Sequence, residues 1–310
     1  MAGGRRAGLA VAAVLLGFSL SSCSQSGDQQ VSLCGPAGTL RVGYVGADEG
    51  RARGGQAVLP EQEIGRVRDL LILAGRCEVQ LEPVASPEQA RQRLLHGSWD
   101  AAFLPPGLAA LAIEGRGASD YNLLRPLGRR QNSRSVLLVR SDSKVTSLAQ
   151  LRGSRLGLLS RGSLTGYYLP LYNLHGLTLA SVHYALSYPE LLEGLRSGQL
   201  DVIAWDTALP APGPDVRPLH EDVNAIPLGA LVLSQQLVAA DHQPFLRALD
   251  ASAAELPVQL GYVAGVLPEP QELRRLRNVV NSVESWDLPL EGQPYAVFGQ
   301  RQPMAPQETR

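Results

Sequence analysis

Apolar and polar positions recur along this chain with two different periods, and the switches between them outline its elements. Residues 40–44 form a short apolar run of the kind a buried strand presents, and residues 78–84 alternate with period two. Between them, residues 62–74 place Ile64, Val67, Leu71 and Ala74 at helical intervals. Ser86, Pro87 and Glu88 supply a polar cap and a first-turn proline for a second helix, which carries Ala90, Leu94 and Leu95 and stops at Gly97. Residues 100–104 read as a third strand, and Pro105, Pro106 and Gly107 turn the chain into another helix. The order β-α-β-α-β predicts a mostly parallel sheet with covered faces.

The same alternation starts again further along. Residues 133–140 form a strand, 147–151 a short helix ended by Gly153, and 155–159 a strand. Residues 162–174 are a loop and helix, 181–186 a strand, 188–196 a helix and 201–205 a strand. An apolar strand follows at 226–233, with helices at 245–256 and 269–283. Two α/β units of similar size predict two lobes, with 133–140 and 226–233 as the segments that cross between them. The C-terminal helices are expected to pack back on the first lobe. In open α/β sheets ligands bind beyond the carboxyl ends of the strands, and two such ends facing each other form a cleft that hinge motion closes. The chain shows no internal repeat at this level.

The N-terminus carries a different pattern. Arg5 and Arg6 precede an apolar run over residues 7–20, which is shorter than the ~20 residues of a spanning helix. A positive start, a short apolar stretch and small residues after it read as a secretory signal. Its end, Leu20-Ser21-Ser22-Cys23, resembles a bacterial lipobox, so 1–22 is expected to be removed and Cys23 to carry lipid. Residues 24–30 then form a polar tether. The protein is therefore expected to be exported and lipid-anchored on the periplasmic or extracytoplasmic side. The resulting division is 1–22 signal, 23–33 lipidated cysteine and tether, 34–132 first lobe, 133–225 second lobe, 226–302 return to the first lobe, and 303–310 tail.

Composition narrows the chemistry. The chain has 310 residues, 45% apolar and 18% charged, a globular balance that excludes a multi-span membrane protein. With 28 basic and 29 acidic residues there is no bulk basic surface for nucleic acid. Beyond Cys23 only Cys34 and Cys77 remain, and in an oxidising compartment such a pair is expected to be bridged. Cys34 lies six residues before the strand at 40–44 and Cys77 directly before the one at 78–81, so parallel neighbours would bring both to one sheet end; the alternative is two buried free thiols. The five histidines are scattered, with no HxH, HExxH or CxxC and no nucleophile elbow. His220-Glu221-Asp222 lacks a nearby partner for a metal. No catalytic residue, metal or cofactor is expected.

The most distinctive segment is 160–170, SRGSLTGYYLP, placed between a strand and a helix. Gly162 and Gly166 let a guest approach the backbone, Ser163 and Thr165 offer hydroxyls, and the first amides of a helix lack intrahelical acceptors. An ordinary helix cap accounts for the same residues equally well. Pro170 requires the helix to begin near Gly166. Asp206 follows the last strand of the second unit, either capping a loop or facing a ligand that keeps a proton or carries an amine. Tyr44 ends the first strand, at the cleft or in the core. Asp48 and Glu49 follow on a polar loop, and Arg129, Arg130 and Arg134 cluster at the first crossing.

Residues 160–170 resemble the S-T-S-G-y-x-x-P motif of phosphate-, phosphite- and phosphonate-type substrate-binding proteins of ABC transporters. LRVGYVG at 40–46, GSWDAAFLPP at 97–106, SLAQLRGSRLGLL at 147–159 and GQLD at 198–201 resemble other stretches of that family, in the same order. The resemblance implies an α/β, two-lobed periplasmic-binding-protein fold of type 2, with two mostly parallel sheets joined by two crossing segments. It implies capture of a small oxyanion and delivery to a membrane permease by a monomeric, non-enzymatic protein. Ser163, Thr165 and the Gly166 amide would hold the oxyanion, with Leu164, Pro106, Tyr44, Tyr188 and Asp206 around it. Leu164 replaces a hydroxyl residue, Tyr188 stands where the family has histidine, and Ala109 stands where an aromatic is common. The alternative is a sensory lipoprotein of the same fold that reports its ligand to a membrane kinase.

Overall fold

The computed structural model describes residues 33–34, 38–45, 59–84, 86–113, 121–128, 133–237, 241–267 and 269–298. Cys23 with its signal and tether, Asp48, Glu49, Arg129, Arg130 and the tail 303–310 lie outside the described residues. The first unit runs β1 (Thr39–Tyr44), α1 (Glu61–Gly75), β2 (Glu78–Pro83), α2 (Pro87–Leu95), β3 (Ala101–Leu104), α3 (Pro106–Ala112) and β4 (Tyr121–Leu127). The second runs β5 (Ser135–Arg140), β6 (Arg155–Leu159), a π turn (Leu164–Tyr168), α4 (Leu169–Asn173), β7 (Thr178–Leu179), β8 (Ser181–Ala185), α5 (Tyr188–Arg196), β9 (Val202–Asp206) and β10 (Val216–Glu221). Then come β11 (Gly229–Ser234), α6 (Gln243–Ala251), α7 (Pro270–Glu284) and β12 (Tyr295–Ala296). No described helix is long and apolar enough to cross a membrane.

Two five-stranded sheets result, ordered β2-β1-β3-β11-β4 and β10-β5-β9-β6-β8. They are mixed rather than mostly parallel. In the first, β1 runs parallel to β2 and β3, while β11 is antiparallel to β3 and β4. In the second, β6 is parallel to β8 and β9, while β5 is antiparallel to β9 and β10. The strands that enter from the other lobe run against the local βαβ strands. Within these two sheets the strands absent from the sequence reading, β4 and β10, contain Pro126 and Pro218. Proline cannot donate to a sheet ladder and is confined to edges, and both strands are edges.

The crossings are narrower than predicted. β5 lies wholly in the second sheet and β11 wholly in the first, so only the residues just before each strand pass between lobes. These run side by side, with the Ile226 amide donating to Ser133 O at 3.0 Å and the Asp222 amide to Ser135 O at 2.8 Å. Arg134 ties the pair together, donating to the carbonyls of Asp222 and Val223 and pairing with Glu221 at 3.2 Å. Of the segment expected to return to the first lobe, β11 lies in the first sheet and α6 packs on α1, and the rest departs from the expectation. Helix α7 contacts both α3 and α4, and β12 pairs with β7 of the second lobe.

The lobes also contain a repeat that the sequence reading missed. Arg41-Val42-Gly43 on β1 matches Arg155-Leu156-Gly157 on β6, and Gly97-Ser98-Trp99-Asp100 matches Gly198-Gln199-Leu200-Asp201. In each lobe the aspartate accepts the arginine's own amide at 2.8 Å, its Nε at 3.0 Å and its Nη2 at 2.7 Å. Gly97 and Gly198 close their helices at φ +60° and +75°, a region glycine enters without strain. Gly43 and Gly157 leave room for Trp99 and Leu200 against the strand, where a Cβ would come within 2.2 and 2.6 Å. The repeat is hidden because only its bonding residues match, while the packing residues between them diverge.

Cys34 and Cys77 form a disulfide with Cα atoms 6.0 Å apart. They sit at the N-terminal ends of the parallel neighbours β1 and β2, the placement the sequence implies. One apolar cluster lies between α1, α6 and the first sheet, and another between α5 and the second. A third is continuous from one lobe to the other, joining Leu108 and Ala109 of α3 with Leu164 and Leu169 and with Leu276 and Val280 of α7.

Candidate functional site

The segment after β6 is built around Pro170. In the π turn the Tyr168 amide bonds Ser163 O at 3.0 Å, and the Leu169 amide reaches back to Leu164 O. The next donor in that register would be residue 170, which as proline has none. The Thr165 carbonyl is therefore left over, and Ser135 Oγ on β5 donates to it at 3.0 Å. Ser163 is the N-cap, its Oγ accepting the Gly166 amide at 3.0 Å. The cap reading of this segment thus holds in the structure: the amide expected to meet an anion is donated to the serine. Both side chains are sealed, Ser163 at 0% and Thr165 at 2% exposure.

The printed partners of these two side chains, Tyr188 and the Gly166 amide, belong to the second lobe itself, and the other lobe presses on the turn beside them. Gly162, at φ +111°, sits so close to α2 that a Cβ would lie 2.7 Å from Pro87 O. A Cβ on Gly107, beside Pro106 at the start of α3, would lie 2.8 Å from Gly162 O and 3.0 Å from Leu164 N. The turn therefore forms part of the contact between lobes, in a closed arrangement.

Around it the second lobe gathers several of the predicted residues. Tyr188, at the start of α5, is fully buried, and its hydroxyl bonds Thr165 Oγ1 at 2.5 Å. Its ring meets Trp205 edge-on at 5.5 Å. Asp206 pairs with Ser135 across the β5–β9 ladder, and its Oδ1 accepts Ser133 Oγ at 2.5 Å and the Ala208 amide at 2.8 Å. Asp206 therefore caps its loop at the edge of this group. Leu164 is fully buried in the shared apolar layer. Tyr44 is not brought to the turn: with Leu40 and Val42 on the same face of β1 it packs in the outer core of the first lobe, as period-two alternation requires. Asp222 is 3% exposed and accepts from Asn173 Nδ2 and from the amide and side chain of Asn224. Among the described residues no group of three His, Cys, Asp or Glu side chains is placed to hold a metal.

Beyond Ser133 and Ser135, the sequence reading missed a buried charge cluster beside the turn. Glu284, the last residue of α7, accepts Arg161 Nε at 2.9 Å and Nη2 at 2.7 Å, Tyr168 OH at 2.6 Å and Arg91 Nη1 at 3.0 Å. Burial, then the adjacent Glu284 charge, holds the Tyr168 phenol well above its ordinary range. Burial lowers the Arg161 pKa, but the bonds and charge of Glu284 outweigh it and the net shift is upward. These partners are 193 and 123 residues apart in the chain, so no local pattern announces them. The alternating hydroxyls in Ser133-Arg134-Ser135 were a legible signal for the crossing residues.

The family model described as ABC transporter, phosphonate, periplasmic substrate-binding protein matches residues 62–209. No curated protein matches the chain. Among solved structures, XAC2383 from Xanthomonas citri bound to chloride superposes with a TM-score of 0.61 at 20% identity, covering 79% of this chain and 98% of that one. A binding protein component of an ABC phosphonate transporter, PA3383 from Pseudomonas aeruginosa, gives 0.56 at 14% identity, covering 78% and 85%. PhnD1 from Prochlorococcus marinus, in complex with methylphosphonate, gives 0.53 at 14% identity, covering 80% and 98%. These likenesses establish the two-lobed fold.

Proposed function

We propose, from the premise that over residues 62–209 this chain belongs to the periplasmic substrate-binding family of ABC phosphonate transporters, that it is a lipid-anchored solute-binding component of an importer. Proteins of this family bind small anionic ligands and deliver them to a membrane permease. The solute is a small oxyanion such as phosphate, phosphite or a phosphonate, taken at the turn 163–166, and Cys23 carries the anchor. The protein catalyses no reaction.

The observation that carries this reading is the position of the turn. Ser163, Thr165 and Tyr188 bring three hydroxyls together at a helix start, next to the Gly162 and Leu164 backbone that meets the other lobe. A hydroxyl can accept one bond and donate another, so pairing among themselves is compatible with donating to an anion when the lobes part. In a water-excluded contact such bonds are stronger than in solution. Asp206 at the edge of the group favours an oxyanion that keeps a proton, or one that carries an amine.

Calorimetry of the delipidated protein against phosphate, phosphite, methylphosphonate and a sulfonate tests the reading. One of the phosphorus oxyanions binds, and Ser163→Ala with Thr165→Ala weakens it about ten-fold or more, at ~1 kcal/mol per hydrogen bond. Unchanged affinity in the double variant removes the turn from the site, and no binding by any of the anions overturns the oxyanion assignment. Cys23→Ser is expected to release the protein from membranes, and retention there would refute the anchor.

A further inference from the structure

We propose that the C-terminal segment is a third connection between the lobes, and that Glu284 is a latch that keeps the solute-free protein closed. A two-lobed protein with two crossings bends about them. Here a third element spans the same gap. Helix α7 lies on α3 of the first lobe and on α4 and the π turn of the second. The residues after it are fastened to the second lobe by backbone. The Gly292 amide donates to Val182 O, the Val297 amide to Leu177 O and the Gly176 amide to Val297 O, each at 2.8 Å. Tyr295 and Ala296 add a strand to β7, and Glu291 takes the Tyr184 amide at 2.8 Å.

Glu284 stands where this segment passes between the lobes. Arg161 and Tyr168 hold it from the second lobe, and Arg91 reaches it from α2 of the first. Arg91 is itself oriented by Glu88, whose carboxylate accepts its Nε at 2.9 Å. The side chains are largely withdrawn from water, Arg91 at 8% exposure and Arg161 and Glu284 at 15% each. Separating the lobes pulls Arg91 away from Glu284 and leaves its guanidinium with Glu88 alone. The charge-assisted bond lost in this way opposes opening. The apolar layer shared by α3, the π turn and α7 acts in the same direction. Because Gly162 and Leu164 press on α2 and α3 in this arrangement, the latch sets what fraction of the protein is open to receive a solute.

The latch is tested on solute-free protein, so the outcome is independent of which solute the cleft takes. Hydrogen exchange and small-angle scattering are measured for the wild type, Arg91→Gln, Glu284→Gln and Arg91→Lys. Arg91→Gln leaves the second-lobe bonds of Glu284 in place and cuts only the arm between lobes. It is expected to raise the radius of gyration and to speed exchange of the amides at 164–168 at least ten-fold, with Arg91→Lys restoring most of the difference. Glu284→Gln should act in the same direction. Unchanged scattering in Arg91→Gln, or faster exchange confined to α7, would show a local structural pair and overturn the proposal. If Glu284→Gln does not fold, the two Arg91 variants decide it.

Discussion

Gly107→Ala is the sharpest probe of the closed contact. The added methyl would lie 2.8 Å from Gly162 O, 3.0 Å from Leu164 N and 3.1 Å from Leu164 Cβ. Two of these atoms are backbone and the third is fixed to it, so none can swing aside as the end of a long side chain would. Ordinary contact to a methyl begins near 3.4 Å, so the two lobes must separate by several tenths of an ångström. Overpacking of this kind costs about 1–3 kcal/mol. The whole cost falls on the closed form, because in an open form Gly162 and Leu164 have moved away from α3. At 1.4 kcal/mol per factor of ten, closure and any affinity that depends on it should weaken roughly 5- to 150-fold. The first lobe should not suffer, since Gly107 is not among the positive-φ glycines and alanine favours a helix over glycine by up to ~1 kcal/mol. The expected signature is therefore a protein of undiminished thermal stability with a larger radius of gyration in scattering and a changed solute affinity in calorimetry. Gly65→Ala on α1, whose Cβ would meet nothing within 4 Å, controls for the helix effect alone. Identical scattering and affinity in Gly107→Ala would refute the interlobe contact at this turn.

Two further outcomes follow from the bonding around the site. Ser135→Ala removes the donor to the Thr165 carbonyl that Pro170 leaves over, in a place where Ser135 is 2% exposed. Chemical denaturation should show a loss of about 1–3 kcal/mol, the cost of a buried unsatisfied acceptor, and a loss within a few tenths would contradict the assignment. Asp201 has its pKa lowered, first by its hydrogen bond to Arg155. Its contribution to stability is thus complete above the ordinary value of 3.8 and is lost as pH falls below that through the lowered folded value. The Arg155–Asp201 pair is about 40% exposed, so the effect is modest. Asp201→Asn should destabilise the protein near neutrality and flatten the fall in melting temperature between about pH 4 and pH 2, and an unchanged acid profile would exclude this role.

Local chemistry was largely readable from the sequence. Period-two and helical spacing located β6 and α5 to the residue and most other elements within a few, because each depends on which face of a short segment is apolar. Cys34 and Cys77 could be paired on paper because they are the two thiols left in a chain expected to be exported, and the structure makes the strands they precede parallel neighbours. The segment 160–170 stood out because glycine, hydroxyl residues and a proline at a helix start constrain the backbone whatever surrounds it. Where two readings depended on surroundings, sequence left them open. Ser163 as a cap and Tyr44 as a core residue were settled by burial and bonding from elsewhere in the chain. The edge strands β4 and β10 were hidden by their prolines, and the repeated Arg-Asp clamp by the divergent residues between its bonding members.

Sequence by itself determined the α/β class, the two units and the turn, since these follow from short-range spacing and backbone stereochemistry. Tertiary structure alone decided that α7 joins both lobes, that Arg91 and Arg161 share Glu284, and that Gly107 presses against Gly162. Such contacts link residues tens to hundreds of positions apart, and their partners are chosen by how the two sheets are brought together rather than by any pattern along the chain.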